Sequence, residues 1–247
     1  VQRATHEKFI DMALELGGKD PAYARYDCDL EKTVDNLVDG SFFNSGQSCC
    51  GIERIYVDEK IFNSFLELFI SKTYNYKLGN PLEQENNLGP VVKLSAAEFI
   101  INQMNKALDK GAKKMIDENK FHFPKEHKNY LVPQILTNVT HEMDFMTEET
   151  FGPCVGIMKV SDENEAVKLM NDSPYGLTAS IWTNDVEIAE KIGNQVQTGT
   201  FFMNRCDYLD PALSWTGVKE TGKGCSLSEI AYEKLTAPKS FHLRKGQ

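Results

Sequence analysis

Apolar positions along this 247-residue chain alternate between two spacings. Leu30, Val34, Leu37 and Val38 recur at helical intervals, which predicts a helix over 29–43. Ile61, Phe62, Phe65, Leu66, Phe69 and Ile70 form a wider helical stripe, stopped by Gly79-Asn80-Pro81. Ser95 is placed to cap a third helix. Glu98 would complete its capping box, Ile100, Ile101, Met104 and Leu108 its apolar face, and Gly111 its end. Strand-like runs stand at 54–57, 155–160, 179–182 and 200–203. Two more helices are marked by Ala166, Val167 and Met170, and by Val186, Ala189 and Ile192. Strands alternating with helices predict an α/β fold of three layers, a mainly parallel sheet with helices on both faces. In such sheets ligands bind at the carboxyl ends of the strands. The stretch 117–129 is charged and reads as a solvated loop, and its His122 and His127 lack metal-ligand spacing.

Composition narrows the function classes. Hydrophobic residues make up 41% of the chain, enough for a full core. The formal net charge of −9 argues against a nucleic-acid or anionic-membrane partner. No apolar run is long enough to span a bilayer. The polar start, Val1 to Lys8, lacks the apolar core of a signal peptide and an initiator methionine, so a processed product or a piece of a longer chain is expected. The six cysteines show neither a metal-ligand pattern nor a disulfide framework, and reduced thiols in a cytoplasmic setting are the simplest reading.

Four segments carry candidate chemistry. In Leu14-Glu15-Leu16-Gly17-Gly18-Lys19, a carboxylate flanked by leucines is expected to be desolvated and so to suit a general base; a solvated glutamate before a turn is the plainer alternative. In Phe42-Phe43-Asn44-Ser45-Gly46-Gln47-Ser48-Cys49-Cys50, Cys49 follows a helix-like segment among small residues, where a small molecule can reach it. A free cysteine is also a common buried filler, and these residues alone leave both readings open. Glu148-Glu149-Thr150-Phe151-Gly152-Pro153 suits hydroxyl binding or a charged loop. The fourth, 215–224, is a glycine-rich loop without the order of a phosphate-binding P-loop.

In this order the segments resemble the aldehyde dehydrogenase superfamily, from about Met12 to the C-terminus. Leu14 to Lys19 is similar to its glutamate signature, Phe42 to Cys49 to its cysteine signature, and Glu149 to Pro153 to its E-x-F-G-P motif. Asn171, Tyr175-Gly176-Leu177, Gly199-Thr200 and Asn204 match further segments, and 235–241 looks like the tail of a subset of members. One departure is Cys225-Ser226, where the family often has Arg-Glu.

The resemblance implies oxidation of a small-molecule aldehyde to a carboxylic acid with NAD or NADP. Cys49 would be the nucleophile and Glu15 the base that hydrolyses the thioester. Glu149 would bind the nicotinamide ribose, Phe151 would pack beside it, and the Leu16 backbone would face the carboxamide. Trp215 falls where the family lines its substrate tunnel. The resemblance also implies a homodimer or homotetramer. It divides the chain into residues 1–15 as the remnant of a cofactor-binding domain, 16–222 as the catalytic domain, and 223–247 as a tail with an oligomerisation strand. The family's dinucleotide-binding half has no match here, so the chain alone is expected to bind NAD(P) weakly or not at all and to lack dehydrogenase turnover. A cofactor-independent thiol esterase and a silent assembly module are the alternatives.

Overall fold

The structure, a computed structural model, describes residues 1–123 and 127–246. Its elements run α1 (Gln2–Thr5), β1 (Leu14–Glu15), β2 (Asp20–Ala24), α2 (Leu30–Phe42), β3 (Ile52–Asp58), α3 (Phe62–Thr73), α4 (Leu94–Asp109), β4 (Lys113–Lys114) and β5 (Gln134–Thr137). They continue with α5 (Asp144–Thr147), β6 (Cys154–Val160), α6 (Glu163–Asn171), β7 (Tyr175–Gly176), β8 (Thr178–Trp182), α7 (Val186–Gly193) and β9 (Thr200–Met203). Last come the short β10 (Trp215–Thr216), β11 (Val218–Lys219), β12 (Gly222–Lys223) and β13 (Cys225–Ser226), and α8 (Ile230–Leu235).

Seven strands form the central sheet in the order β4-β5-β6-β3-β2-β8-β9. All neighbours are parallel except β4 and β5. Side chains alternate across β3 and sort the core. Ile55 and Val57 face one cluster with Val34, Leu37, Phe65 and Phe69 of α2 and α3. Tyr56 faces the opposite cluster with Met170 of α6 and Ile192 of α7. The expected three layers are therefore present.

Local chemistry sets the helix ends. Asp29, Asp162 and Asp185 cap α2, α6 and α7 by accepting backbone N–H bonds in the first turn. Gly111, at φ +100°, ends α4, and Ala112 N reaches back to Ala107 O at 3.0 Å. The start of α4 differs from expectation. Lys93 is the extended residue before the helix, so Ser95 lies inside the first turn and makes no cap.

β2 and β5 have no counterpart among the expected strands. β2 opens on Asp20-Pro21 and has no alternating pattern, because it is buried on both faces between β3 and β8. The stretch 215–224 is not an open loop: β10 pairs with β13, β11 with β7, and β12 with β1. In 117–129, residues 118–120 form a short 3-10 turn, and 124–126 lie outside the described residues. Residues 236–246 carry no helix or strand within the chain.

Candidate active site

The motif segments meet at the amino ends of the parallel strands, not the carboxyl ends. Gly17 to Lys19 runs into β2, Cys49 precedes β3, Glu149 to Pro153 leads into β6, and Leu177 leads into β8. The carboxyl ends of β2 and β8 are closed. There Asp27 accepts from Thr183 Oγ1 at 2.8 Å and from Asn184 N at 3.3 Å, and pairs with Arg25 at 2.8 Å. Side chains thus occupy the crevice that the general rule assigns to ligands.

Close backbone contact brings the segments together. A Cβ on Gly46 would stand 2.1 Å from Gly152 O, which locks the cysteine segment onto the E-x-F-G-P segment. A Cβ on Gly18 would stand 2.8 Å from Cys49 O and 2.7 Å from Asp20 Oδ1, so only glycine lets the first motif pass behind the nucleophile. Asn44 and Ser45, both at positive φ, turn the chain sharply between α2 and Cys49.

Cys49 is exposed, and all six cysteines are free. Its thiol is lowered to about 7, first by the neighbouring Cys50 thiol, against partial burial and the negative charges of Asp207 and Glu15. The Cys50 thiol has two acceptors in reach, the Cys49 sulfur and Asp207. Cys50 Sγ donates to Asp207 Oδ1 at 2.8 Å, and Ser48 Oγ donates to the same oxygen at 3.1 Å. The bond to Cys49, then burial, then the bond to Asp207 and its charge push the Cys50 thiol up, against Ser48, so Cys49 is the thiolate-forming member of the pair.

Glu15 lies close enough for its charge to act on Cys49. It is exposed, however, not desolvated by its leucines. Strand geometry explains this, since Leu14 and Leu16 point to the opposite face from Glu15. Glu15 is held by pairing of β1 with Gly222–Lys223 and by a bond from Ser226 Oγ to its Oε1 at 3.1 Å. The departure at 225–226 thus supplies a hydroxyl to the carboxylate. The Leu16 side chain is exposed, and its N–H is bonded to Thr221 O at 2.8 Å.

Glu149 and Phe151 line a cleft of about 680 Å³ with Gln47, Phe99, Thr150 and Tyr175. Cys49 is not among its lining residues; the cleft reaches the cysteine segment at Gln47, two positions before Cys49. Burial raises the Glu149 carboxyl, opposed by the Gly18 N–H that donates to its Oε1 at 3.0 Å. Phe151 is held at φ +54° and is 40% exposed. Trp215 is buried beside Cys50 and Leu177, so its ring backs the nucleophile pair with little open surface.

Sequence reasoning missed Lys19, Glu53, Arg54 and Asp207. Glu53 and Arg54 left a trace, two charges at the head of the apolar run Ile52 to Val57, and buried charge demands partners. Asp207 left none.

The aldehyde dehydrogenase family model matches residues 1–241. The chain belongs to that family. It is 36% identical over 222 residues to a succinate semialdehyde dehydrogenase of Escherichia coli, covering 90% of this chain and 47% of that protein. It is 33% identical over 249 residues to an aldehyde dehydrogenase of Emericella nidulans, covering 100% of this chain and 49% of that one. Among solved structures, the NADP complex of an NADP-dependent glyceraldehyde-3-phosphate dehydrogenase from Bacillus halodurans superposes with a TM-score of 0.87 at 34% identity, over 96% of this chain and 48% of that one. The NAD+ complex of betaine aldehyde dehydrogenase from Staphylococcus aureus gives 0.87 at 29%, over 94% and 46%. The chain therefore spans about half the length of the relatives it matches. Among the described residues no helix is long and apolar enough to cross a membrane.

Proposed function

We propose that this chain is the catalytic domain of an NAD(P)-dependent aldehyde dehydrogenase that oxidises an aldehyde to a carboxylic acid. The observation that carries the reading is the exposed Cys49 thiol, lowered to about 7, within range of the Glu15 charge. A thiol lowered to about 7 is roughly half thiolate at neutral pH, against a few per cent for an ordinary cysteine. The Cys49 thiolate adds to the aldehyde and forms a thiohemiacetal, whose oxyanion the Cys49 N–H helps to hold. A nicotinamide dinucleotide, when bound, would supply the hydride acceptor, and Cys49 would then carry the acyl group as a thioester. Glu15, exposed and fixed by Ser226, then removes a proton from water that attacks the thioester and frees Cys49.

The residues present suit the nicotinamide end of the cofactor. Glu149 offers a carboxylate to ribose hydroxyls, and Phe151 offers an open aromatic face in the same cleft. The Leu16 backbone would face the carboxamide. Contacts for the adenosine end are expected from the part of the relatives that this chain does not span, so binding by this chain alone should be weak. A homodimer or homotetramer completes the proposal, with the extended segment around Ser240 to Leu243 as the strand it would share; Phe241 and Leu243 are exposed.

Cys49→Ala tests the reading. In a full-length protein carrying this domain it should abolish aldehyde-dependent NAD(P)H formation, and in this chain it should remove the most rapid iodoacetamide labelling near pH 7; retained turnover refutes it. The lowered thiol also favours a second activity, cofactor-independent ester hydrolysis. Nitrophenyl acetate should be cleaved without nucleotide, and cleavage that survives Cys49→Ala would remove that assignment.

A further inference from the structure

One buried carboxylate touches two of the motif segments and sits four residues after the nucleophile in the third. Glu53 lies on β3, almost fully buried. Its Oε2 accepts from Lys19 Nζ at 2.6 Å and from Thr150 N at 2.8 Å, and its Oε1 accepts from Phe151 N at 2.8 Å. Lys19 Nζ also donates to Thr150 Oγ1 at 2.8 Å, and that hydroxyl donates to Gln103 Oε1 at 2.6 Å. From the other face of β3, Arg54 Nε donates to Lys19 O at 2.8 Å. Consecutive residues of β3 therefore hold both the ammonium and the carbonyl of Lys19.

Two features separate this cluster from a plain core ion pair. A buried pair roughly breaks even against an apolar pair of the same volume, so its two charges alone do not explain its place. The bonds that remain go to the amides of Thr150 and Phe151. Those amides fix the turn that carries Glu149 on one side and places Phe151 at positive φ. Glu149 in turn accepts from Gly18, the residue before Lys19.

We propose that Glu53 is a positioning residue: by binding Lys19 and the Thr150 and Phe151 amides at once, it sets where Glu149 and Phe151 stand relative to Cys49. What Glu149 and Phe151 bind rests on the dehydrogenase reading; where they stand does not.

Two variants divide charge from acceptor. Glu53→Gln keeps an oxygen for the two amides but leaves the Lys19 ammonium buried without a counter-charge. The double variant Lys19→Met/Glu53→Leu removes both charges and both acceptors, and leaves the amides to seek water. The melting midpoint should fall further in Glu53→Gln than in the double variant. Loop readouts should run the opposite way. Affinity for nicotinamide mononucleotide, followed by NMR titration, should hold within about threefold in Glu53→Gln and fall about tenfold or more in the double variant, the worth of one or two hydrogen bonds. Exchange of the Thr150 and Phe151 amides, well below the melting midpoint, should speed up in the double variant alone.

A purely structural Glu53 makes both readouts follow stability, and that pattern overturns the proposal. If a full-length protein carrying this domain oxidises no aldehyde, the dehydrogenase reading fails. Amide exchange still decides the role of Glu53: faster only in the double variant supports it, unchanged or ordered by stability refutes it.

Discussion

Cys49 and Glu15, the proposed nucleophile and base, stand on ground of different firmness. Cys49 leads directly into β3, the strand buried along its whole length at the middle of the sheet. Glu15 stands on a two-residue strand whose ladder partner is a two-residue strand of the C-terminal region. Around that ladder apolar side chains lie open: Phe9, Ile10, Leu213, Ile230, Tyr232 and Leu235 are all exposed. The contrast teaches that, on the proposed mechanism, covalent attack and hydrolysis draw on separable structure. One depends on the packed sheet, the other on a short backbone ladder and one hydroxyl.

The largest effect follows from packing. Phe69 is fully buried against Phe42 and Phe65 beneath β3. Phe69→Ala removes a ring that this core cannot refill and should cost about 3–5 kcal/mol in a denaturant titration. Leu235, 82% exposed in α8, should cost less than about 0.5 kcal/mol as Leu235→Ala. Similar losses at both positions would mean that the C-terminal region is as firmly packed as the sheet.

A smaller effect separates the chemical steps. Gly222 sits at φ +121°, and a Cβ there would stand 2.1 Å from Leu14 O. Gly222→Ala should push β1 away and move Glu15 while sparing Cys49. With nitrophenyl acetate, the burst that acylates Cys49 should persist. Steady turnover should drop by roughly tenfold to a hundredfold, within the range of a general base. Loss of the burst as well would show that the nucleophile leans on the same ladder.

The same contrast explains what could be read from residues alone. The sheet and its helices were legible because apolar spacing reports burial, and the segments carrying Cys49, Glu15 and Glu149 because short motifs mark them. β2 escaped because a strand buried on both faces loses its alternation, and Asp20-Pro21 argues against a strand start. The exposure of Glu15 escaped because leucines adjacent in sequence point away from it in a strand. The end of the sheet that holds the site was misread because the Asp27 network closing the other end is built from residues more than 150 positions apart. Asp207 escaped for a related reason: it reaches Cys50 across 157 positions, with no local pattern to mark it.

The smallest effect concerns that aspartate. The rate of Cys49 alkylation should rise with pH around a midpoint near 7, since thiolate is the reacting form. Asp207 opposes the thiolate in two ways: its negative charge disfavours a second one, and it holds the Cys50 proton that Cys49 would otherwise receive. Both act in the same direction, so Asp207→Asn should move the midpoint down, by about half a pH unit to one. Cys50→Ala removes the donor and should move it up. In Cys50→Ala the proton competition is gone, so adding Asp207→Asn there isolates the charge. Only that remaining shift should shrink as salt screens it. A midpoint that rises in Asp207→Asn would mean that the aspartate holds Cys50 in the geometry that favours the Cys49 thiolate, and that the rigid side of the site matters more for reactivity than the charge upon it.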